Sequence, residues 1–194
     1  MRRIGDQHGG VLAKTLALLL IVLLVGAGAM YVYGKRQQPL SVESATQHAT
    51  NMETGTIVLA PDGRVYVATI VQNEGVFPVT LLGLDETPAP RDQPYAASSI
   101  GLGDGKTANP TAAAAFTSVA LKPGAGVGIF VVYEPNARLT CANFTDTASR
   151  ATPFGPISLR FSTYGVESTQ ALEIPGAPEV AGLTRAQCEQ ALGG

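Results

Sequence analysis

The sequence predicts an all-β protein, an antiparallel β-sandwich of about seven strands, preceded by one N-terminal transmembrane helix. Two observations carry this prediction. Residues 16–33 form an apolar run of eighteen residues without a charge. Beyond residue 54, short segments rich in β-branched and aromatic residues alternate with turns that contain Gly, Pro and Asn. No helical segment separates these strands, and parallel strands need long crossovers, so an antiparallel arrangement is favoured.

The first element is a transmembrane helix over residues 11–34, with residues 1–10 as a cytoplasmic N-terminus. At about 1.5 Å per residue, 18 to 22 residues cover roughly 27–33 Å, the thickness of the hydrocarbon layer. The basic side chain near its start can extend to the cytoplasmic surface, and tyrosines and cations mark the other interface. The expected membrane-interface residues are Lys14, Tyr31, Tyr33, Lys35 and Arg36.

A cleaved signal peptide is the alternative for this segment. Ala27-Gly28-Ala29 has the small-x-small pattern of a signal peptidase site, with cleavage after Ala29. The apolar character continues to Tyr33, which favours an uncleaved signal-anchor. The excess of cations before the helix favours a cytoplasmic N-terminus and a single-pass protein of the plasma membrane, with its C-terminal domain extracytoplasmic.

Residues 35–54 are polar and contain a proline near their start, so they are predicted to form a stalk. The domain itself is predicted over 55–194. Its strands are joined by turn sequences such as Pro61-Asp62-Gly63 and Tyr164-Gly165. The predicted strands are 55–59, 64–72, 76–84, 116–121, 127–133, 156–163 and 166–174.

The two cysteines, Cys141 and Cys188, both lie in the predicted outer domain. A cysteine pair in an exported domain most often forms a disulfide, and two buried free thiols are the alternative. Thr184 and Gln187 have the spacing of a capping box for a short C-terminal helix around Cys188. The disulfide is therefore expected to hold the C-terminal tail against the domain.

Several segments carry a resemblance to a known class of proteins. A membrane anchor and a polar stretch precede VYVATIVQNEGVFPVTLLGL at 65–84, and the later sequences Lys122-Pro123-Gly124 and FSTYGVE at 161–167 are of the same kind. Together they resemble the exported immunoglobulin-like β-sandwich proteins of high-GC Gram-positive bacteria. This resemblance covers about half of the outer domain and implies an immunoglobulin-like fold and an extracytoplasmic compartment, without an activity.

Charge and motif content exclude several functions. From residue 40 onward there are eight Lys and Arg against fourteen Asp and Glu, so a nucleic-acid partner is not expected. No residue set has the spacing of a metal or cofactor site. Leu139-Thr140-Cys141 is similar to the cysteine segment of sortase transpeptidases, but such a thiol needs a histidine. The only histidines are His8 and His48, both upstream of the predicted domain.

The long stretch 85–115 is the candidate partner-binding region. It is rich in Pro, Ala and Gly, and long loops in compact domains are generally binding elements or disordered. The residues expected to contact a partner are Pro90, Pro94, Tyr95, Ile100 and Leu102. A short edge strand over 95–102 is the alternative for part of this stretch.

The expected function is a non-catalytic interaction or scaffold module of the cell envelope. The expected partners are the lipid bilayer, which holds the N-terminal helix, and a protein of the cell envelope. The alternatives are a thiol transpeptidase that uses Cys141, and a sandwich that binds a small ligand.

Overall fold

The computed structural model describes residues 7–49, 52–53, 56–57, 59, 62–108, 114–145, 147, 152–153, 155–175 and 179–192. The chain divides into two compact units, the first ending at Gln37 and the second beginning at Gln38.

The first unit is one long helix, α1, from Gln7 to Arg36. Its segment Ala13–Arg36 is long and apolar enough to cross a membrane, a property that a signal sequence shares. The helix begins before the predicted residue 11 and extends two residues past the predicted end at 34. Lys35 and Arg36 consequently lie in its last turn, where cations interact favourably with the helix dipole.

The second unit is mostly β. Its strands are β1 (Leu40–Ala49), β2 (Met52–Glu53), β3 (Thr56–Ile57), β4 (Val65–Asn73), β5 (Val79–Leu84), β6 (Tyr95–Leu102), β7 (Ala114–Ala115), β8 (Val119–Leu121), β9 (Gly126–Pro135), β10 (Thr152–Pro153), β11 (Ile157–Thr163), β12 (Val166–Leu172) and β13 (Glu179–Val180). A 3₁₀ turn at Cys141–Asn143 and a C-terminal helix, α2 (Arg185–Ala191), complete the described elements.

Two antiparallel sheets dominate this unit. The larger has the strand order β1-β4-β9-β6-β7, and the second has the order β12-β11-β5-β8. A small third sheet has the order β10-β13-β3-β2, in which β13 and β3 are parallel. The described strands thus form sheets of five, four and four strands, not a set of about seven.

One hydrophobic core joins the two main sheets. Val67, Ile129 and Val131 of the larger sheet belong to the same buried cluster as Leu81 and Phe161 of the second sheet. Strand β11 alternates between buried and half-buried positions, because successive side chains point to opposite faces of a sheet. The predicted all-β character with one N-terminal apolar helix therefore agrees with the structure at this level.

The predicted polar stalk over 35–54 is wrong. Residues 40–49 form β1, which pairs with β4 along its length. The buried side chain of Gln170 also bonds to Leu40 through both backbone groups, accepting from its amide (3.0 Å) and donating to its carbonyl (2.6 Å). A register shift between Val42 and Ala45 interrupts the two-residue period, so the sequence pattern concealed this edge strand.

Other predicted bounds also change. The strand predicted at 76–84 begins only at Val79, because Asn73 folds the preceding residues into a turn. Of the strand predicted at 55–59, Thr56–Ile57 forms the short β3. The strand predicted at 116–121 is reduced to Val119–Leu121. Residues 95–102 form β6, so the long stretch 85–115 is divided by a strand that pairs with β9.

Candidate functional site

A surface cavity of about 280 Å³ lies where the β5–β6 loop meets the first residues of β6 and β11. Six of its fourteen lining residues are Pro or Ala, and another six carry polar or titratable side chains. The lining residues are Leu84, Asp85, Thr87, Pro88, Ala89, Pro90, Gln93, Tyr95, Ala96, Ala97, Tyr133, Gly155, Pro156 and Ser158.

Asn136 holds one side of this cavity in place. Its side chain is 3% exposed, and its Nδ2 donates to the carbonyl oxygens of Pro90 (2.8 Å) and Gln93 (2.9 Å). Its Oδ1 accepts from the amide of Arg138 (3.0 Å). Its own backbone amide donates to the carbonyl of Pro94 (2.9 Å). One buried side chain therefore fixes the second half of the β5–β6 loop.

The first half of the same loop is fixed from β11. The amide of Asp85 donates to the carbonyl of Ser158 (2.9 Å), and the Nε of Arg160 donates to the carbonyl of Leu84 (3.1 Å). The amide of Thr140 reaches the carbonyl of Arg91 (3.1 Å) in the middle of the loop. Hydrogen bonds thus hold the loop at both of its ends, Leu84–Asp85 and Pro90–Pro94, and this favours a preformed cavity.

Tyr133 forms the most deeply buried polar part of the cavity wall. Its side chain is 2% exposed, and desolvation by burial raises the pKa of its phenol well above the ordinary value. The phenol is consequently neutral at physiological pH. Tyr133 lines the cavity, and its hydroxyl oxygen is buried.

Strand β6 places an open sheet edge beside the cavity. Ala96 and Ala97 line the cavity, and β6 pairs with β9 on one side from Tyr95 to Leu102, with a register shift between Ala97 and Ser99. On the other side β7 pairs only with Gly101 and Leu102. Within the described part of the chain, no strand pairs with residues 96–100 on that side. Such an edge offers backbone donors and acceptors to another extended segment.

The five residues predicted to contact a partner do not form one surface. Pro90 and Tyr95 line the cavity. Pro94 is buried, and Ile100 packs partly buried against the hydrophobic core. Leu102 lies at the far end of β6, opposite Ala114. The structure thus brings two of the five to the cavity and separates the other three from it.

Sequence reasoning missed Asn136, Tyr133 and the 155–158 segment. A signal for Asn136 existed, because it directly follows Pro135 at the end of an apolar strand. Asparagine at such a position commonly bonds to nearby backbone groups. Its actual partners lie 43 and 46 residues earlier in the chain, and no local pattern identifies them.

Cys141 and Cys188 are joined in a disulfide, with a sulfur–sulfur distance of 2.00 Å and a sequence separation of 47. This bond links the 3₁₀ turn to α2. The helix begins with the predicted capping box, in which Thr184 and Gln187 satisfy each other's backbone amides. Neither cysteine is a free thiol, so the transpeptidase alternative lacks its nucleophile.

The loop after β6 is organised by the carboxylate of Asp104. Asp104 accepts hydrogen bonds from the amides of Lys106 and Thr107 (2.8 Å each) and from the Thr107 hydroxyl (2.7 Å). These bonds, led by that from Lys106, hold the pKa of Asp104 below its ordinary value. Among the described residues, no cluster of three His, Cys, Asp or Glu has the arrangement of a metal site.

The predicted membrane-interface residues all lie on α1. Lys14 is in its first half and exposed, and Tyr31 and Tyr33 are 56% and 46% exposed in its last two turns. Lys35 and Arg36 end the helix. Along the helix, a cation in the first half is followed by two tyrosines and two cations at the end, and their contact with a membrane interface stays a prediction.

Comparison with known proteins gives no assignment. No protein-family model matches the sequence, and no curated protein matches it.

Proposed function

We propose that this protein is a non-catalytic interaction module, anchored in the plasma membrane by α1, that binds a protein partner of the cell envelope at the cavity beside β6. The observation that carries the proposal is the preformed cavity next to an open strand edge. An extended segment of the partner would bond to the edge of β6 at residues 96–100 and place one side chain in the cavity.

The cavity is large enough to take one side chain of a protein partner. Its volume of about 280 Å³ lies just below the range of about 300–1,000 Å³ that is usual for drug-sized ligands. Interfaces commonly depend on a few apolar anchors in small pockets. The Pro and Ala walls suit such an anchor, and Thr87, Gln93 and Ser158 can orient its polar neighbours.

The strand order supports an immunoglobulin-like sandwich for the domain. In that fold one sheet has the order A-B-E-D and the other contains C, F and G. The letters A to G can be given in chain order to seven strands of this domain: β1, β4, β5, β6, β9, β11 and β12. The larger sheet, β1-β4-β9-β6, then has the order A-B-E-D. The second sheet, β12-β11-β5, has the order G-F-C. The fold and compartment proposed are those of the exported proteins of high-GC Gram-positive bacteria that the sequence resembles.

Two features support an extracytoplasmic domain. The Cys141–Cys188 disulfide suits an oxidising compartment. The cations before and within the start of α1 favour a cytoplasmic N-terminus. In this arrangement the cavity is accessible to proteins of the cell envelope. The lipid bilayer, which holds α1, is the second partner.

Site-specific photo-crosslinking of the full chain in intact cells tests the proposal. A photoreactive residue at Thr87, which is exposed and lines the cavity, is compared with one at Thr117, an exposed threonine outside it. We expect one defined crosslinked protein at position 87 and none at 117. Asn136→Ala should remove this product, whereas Asn73→Ala, which disturbs the other end of the domain, should leave it. Equal products at 87 and 117, or none at 87, would contradict the proposal.

A further inference from the structure

The β4–β5 turn and the β11–β12 turn together form an exposed apolar surface, which we call the apolar tip. It consists of Val76, Phe77, Pro78 and Tyr164. Val76 is 71% exposed and Tyr164 is 58% exposed. The rings of Phe77 and Tyr164 meet edge to face, with centroids 5.3 Å apart. Apolar side chains are thus collected on two turns, where polar residues are usual.

The apolar tip is held by a buried asparagine. Asn73 is fully buried, and its Nδ2 donates to the carbonyls of Phe77 (2.9 Å) and Leu121 (3.0 Å). Its Oδ1 accepts from the amide of Gly75 (2.9 Å). The turn therefore holds exposed Val76 and half-buried Phe77 on a fixed backbone.

The backbone conformation of Tyr164 is unfavourable for a residue with a bulky side chain. Its φ is 51° and that of Gly165 is 80°, as in a two-residue hairpin turn that prefers Asn, Asp or Gly at its first position. A bulky residue at positive φ is uncommon and is better explained by a function of its side chain than by folding. At position 164 that side chain is an aromatic ring beside Phe77.

The apolar tip lies at the end of the domain where the chain arrives from α1. Leu40, the first residue of β1, pairs with Asn73, and the amide of Glu74 donates to the carbonyl of Pro39 (2.7 Å). Only residues 37–39 separate Arg36 from β1. Four chain steps span at most about 13–14 Å. This covalent limit applies to the chain between Arg36 and Leu40, and Leu40 pairs with Asn73 beside the tip.

We propose that the apolar tip is a lipid-contacting surface, which enters the headgroup region of the same bilayer that α1 crosses. This rests on the proposed membrane anchoring. Aromatic and aliphatic side chains are favoured at that depth. The charged residues at this end of the domain include Glu74, Asp104 and Glu167 against Lys106 and Lys122, so there is no excess of cations. Contact with zwitterionic lipid therefore needs no anionic headgroup.

This contact would orient the binding site. Tyr133 of the cavity pairs with Val65, at the opposite end of β4 from Asn73. Eight steps along a strand cover about 26 Å. With the tip in the headgroups, the cavity faces away from the membrane, toward partners in the envelope.

The chain contains no Trp. The fluorescence of one introduced Trp therefore reports the depth of that position in the bilayer, without a signal from other Trp residues. Val76→Trp is compared with Leu192→Trp, whose site is also an exposed aliphatic residue (39%) and follows α2. The disulfide between Cys188 and Cys141 links helix α2 to the 3₁₀ turn. That turn follows β9 in the chain, after the end of β9 that lies at the cavity.

For the measurement, each full-length variant is reconstituted in phosphatidylcholine vesicles with and without brominated acyl chains. We expect the emission of the Val76→Trp variant to be blue-shifted and quenched roughly twofold, because interfacial apolar groups lie about 5–10 Å deep. The emission of the Leu192→Trp variant should be unaffected by the brominated lipid.

Vesicle flotation separates the two proposals. If the chain does not float with vesicles, the anchoring proposal and this inference both fail. If it floats and the Val76→Trp variant is no more quenched than the Leu192→Trp variant, only the inference is overturned. The Tyr164→Trp variant gives a second measurement of quenching, from the β11–β12 turn. The test therefore remains available if the Val76→Trp variant does not fold.

Discussion

Replacing Asn136 by Ala tests whether one buried side chain organises the cavity. The substitution removes three hydrogen bonds, to the carbonyls of Pro90 and Gln93 and from the amide of Arg138. It leaves these backbone groups without their partner in a partly buried position. The β5–β6 loop should loosen, while the two main sheets keep their pairing.

The expected loss of stability follows from these bonds. A hydrogen bond contributes about 1 kcal/mol net, so three contribute about 3 kcal/mol. Domains of this size are stable by about 5–15 kcal/mol in total, so the variant should still fold. At about 2–4 °C for each kcal/mol, Tm should fall by about 6–12 °C.

Urea denaturation of the full chain in detergent micelles, followed by far-UV circular dichroism under non-reducing conditions, measures this loss. Asn143→Ala is the matched control, because Asn143 is exposed in the 3₁₀ turn and its truncation should change stability by less than about 0.5 kcal/mol. Asn73→Ala should cost as much as Asn136→Ala but leave crosslinking at Thr87 intact. A loss below about 1 kcal/mol for Asn136→Ala, less than one such bond contributes, would refute the assignment of this residue as the support of the cavity.

Three further outcomes are expected. Replacing Cys141 and Cys188 by Ser should lower the free energy of unfolding by about 4 kcal/mol, because the bond closes a loop of 47 residues; equal urea midpoints of the parent with and without reductant would contradict this. Gly128→Ala should cost about 3 kcal/mol, since the added Cβ meets the backbone of the loop after β6; an unchanged Tm would argue against that close approach. Asp104→Asn should destabilise the protein near neutral pH, where the carboxylate accepts the amide of Lys106. Because the pKa of Asp104 is lowered in the folded state, this difference should be full above the ordinary value of 3.8 and should be lost progressively as pH falls from 3.8 through the lower folded-state pKa. A difference in Tm that stays constant from neutral to strongly acidic pH would contradict the role of the charge.

Local patterns were sufficient for several elements. The length and uniform apolarity of α1 predicted a helix that could span a membrane. The alternation of Ile157, Leu159 and Phe161 predicted the buried face of β11. The capping box of Thr184 and Gln187 predicted the start of α2. Each of these signals depends on residues that are near neighbours in the chain.

Edge strand β1 shows where such patterns fail. Its polar composition suggested a stalk, yet β4 supplies its ladder of hydrogen bonds. An edge strand has one neighbour and can expose polar side chains, and the register shift after Val42 removes the remaining alternation. Only the presence of the partner strand makes this segment a strand.

By itself, the sequence of this protein determined the class of each strongly periodic segment, the location of an apolar helix and which cysteines were available to pair. Only the tertiary structure decided that Asn136 supports a cavity, that Asn73 presents an apolar tip, and that the two lie at opposite ends of β4. The reason is physical: periodicity and caps arise from interactions between neighbours in the chain. A cavity or a buried hydrogen-bonding centre arises from groups that are brought together only when the sheets pack.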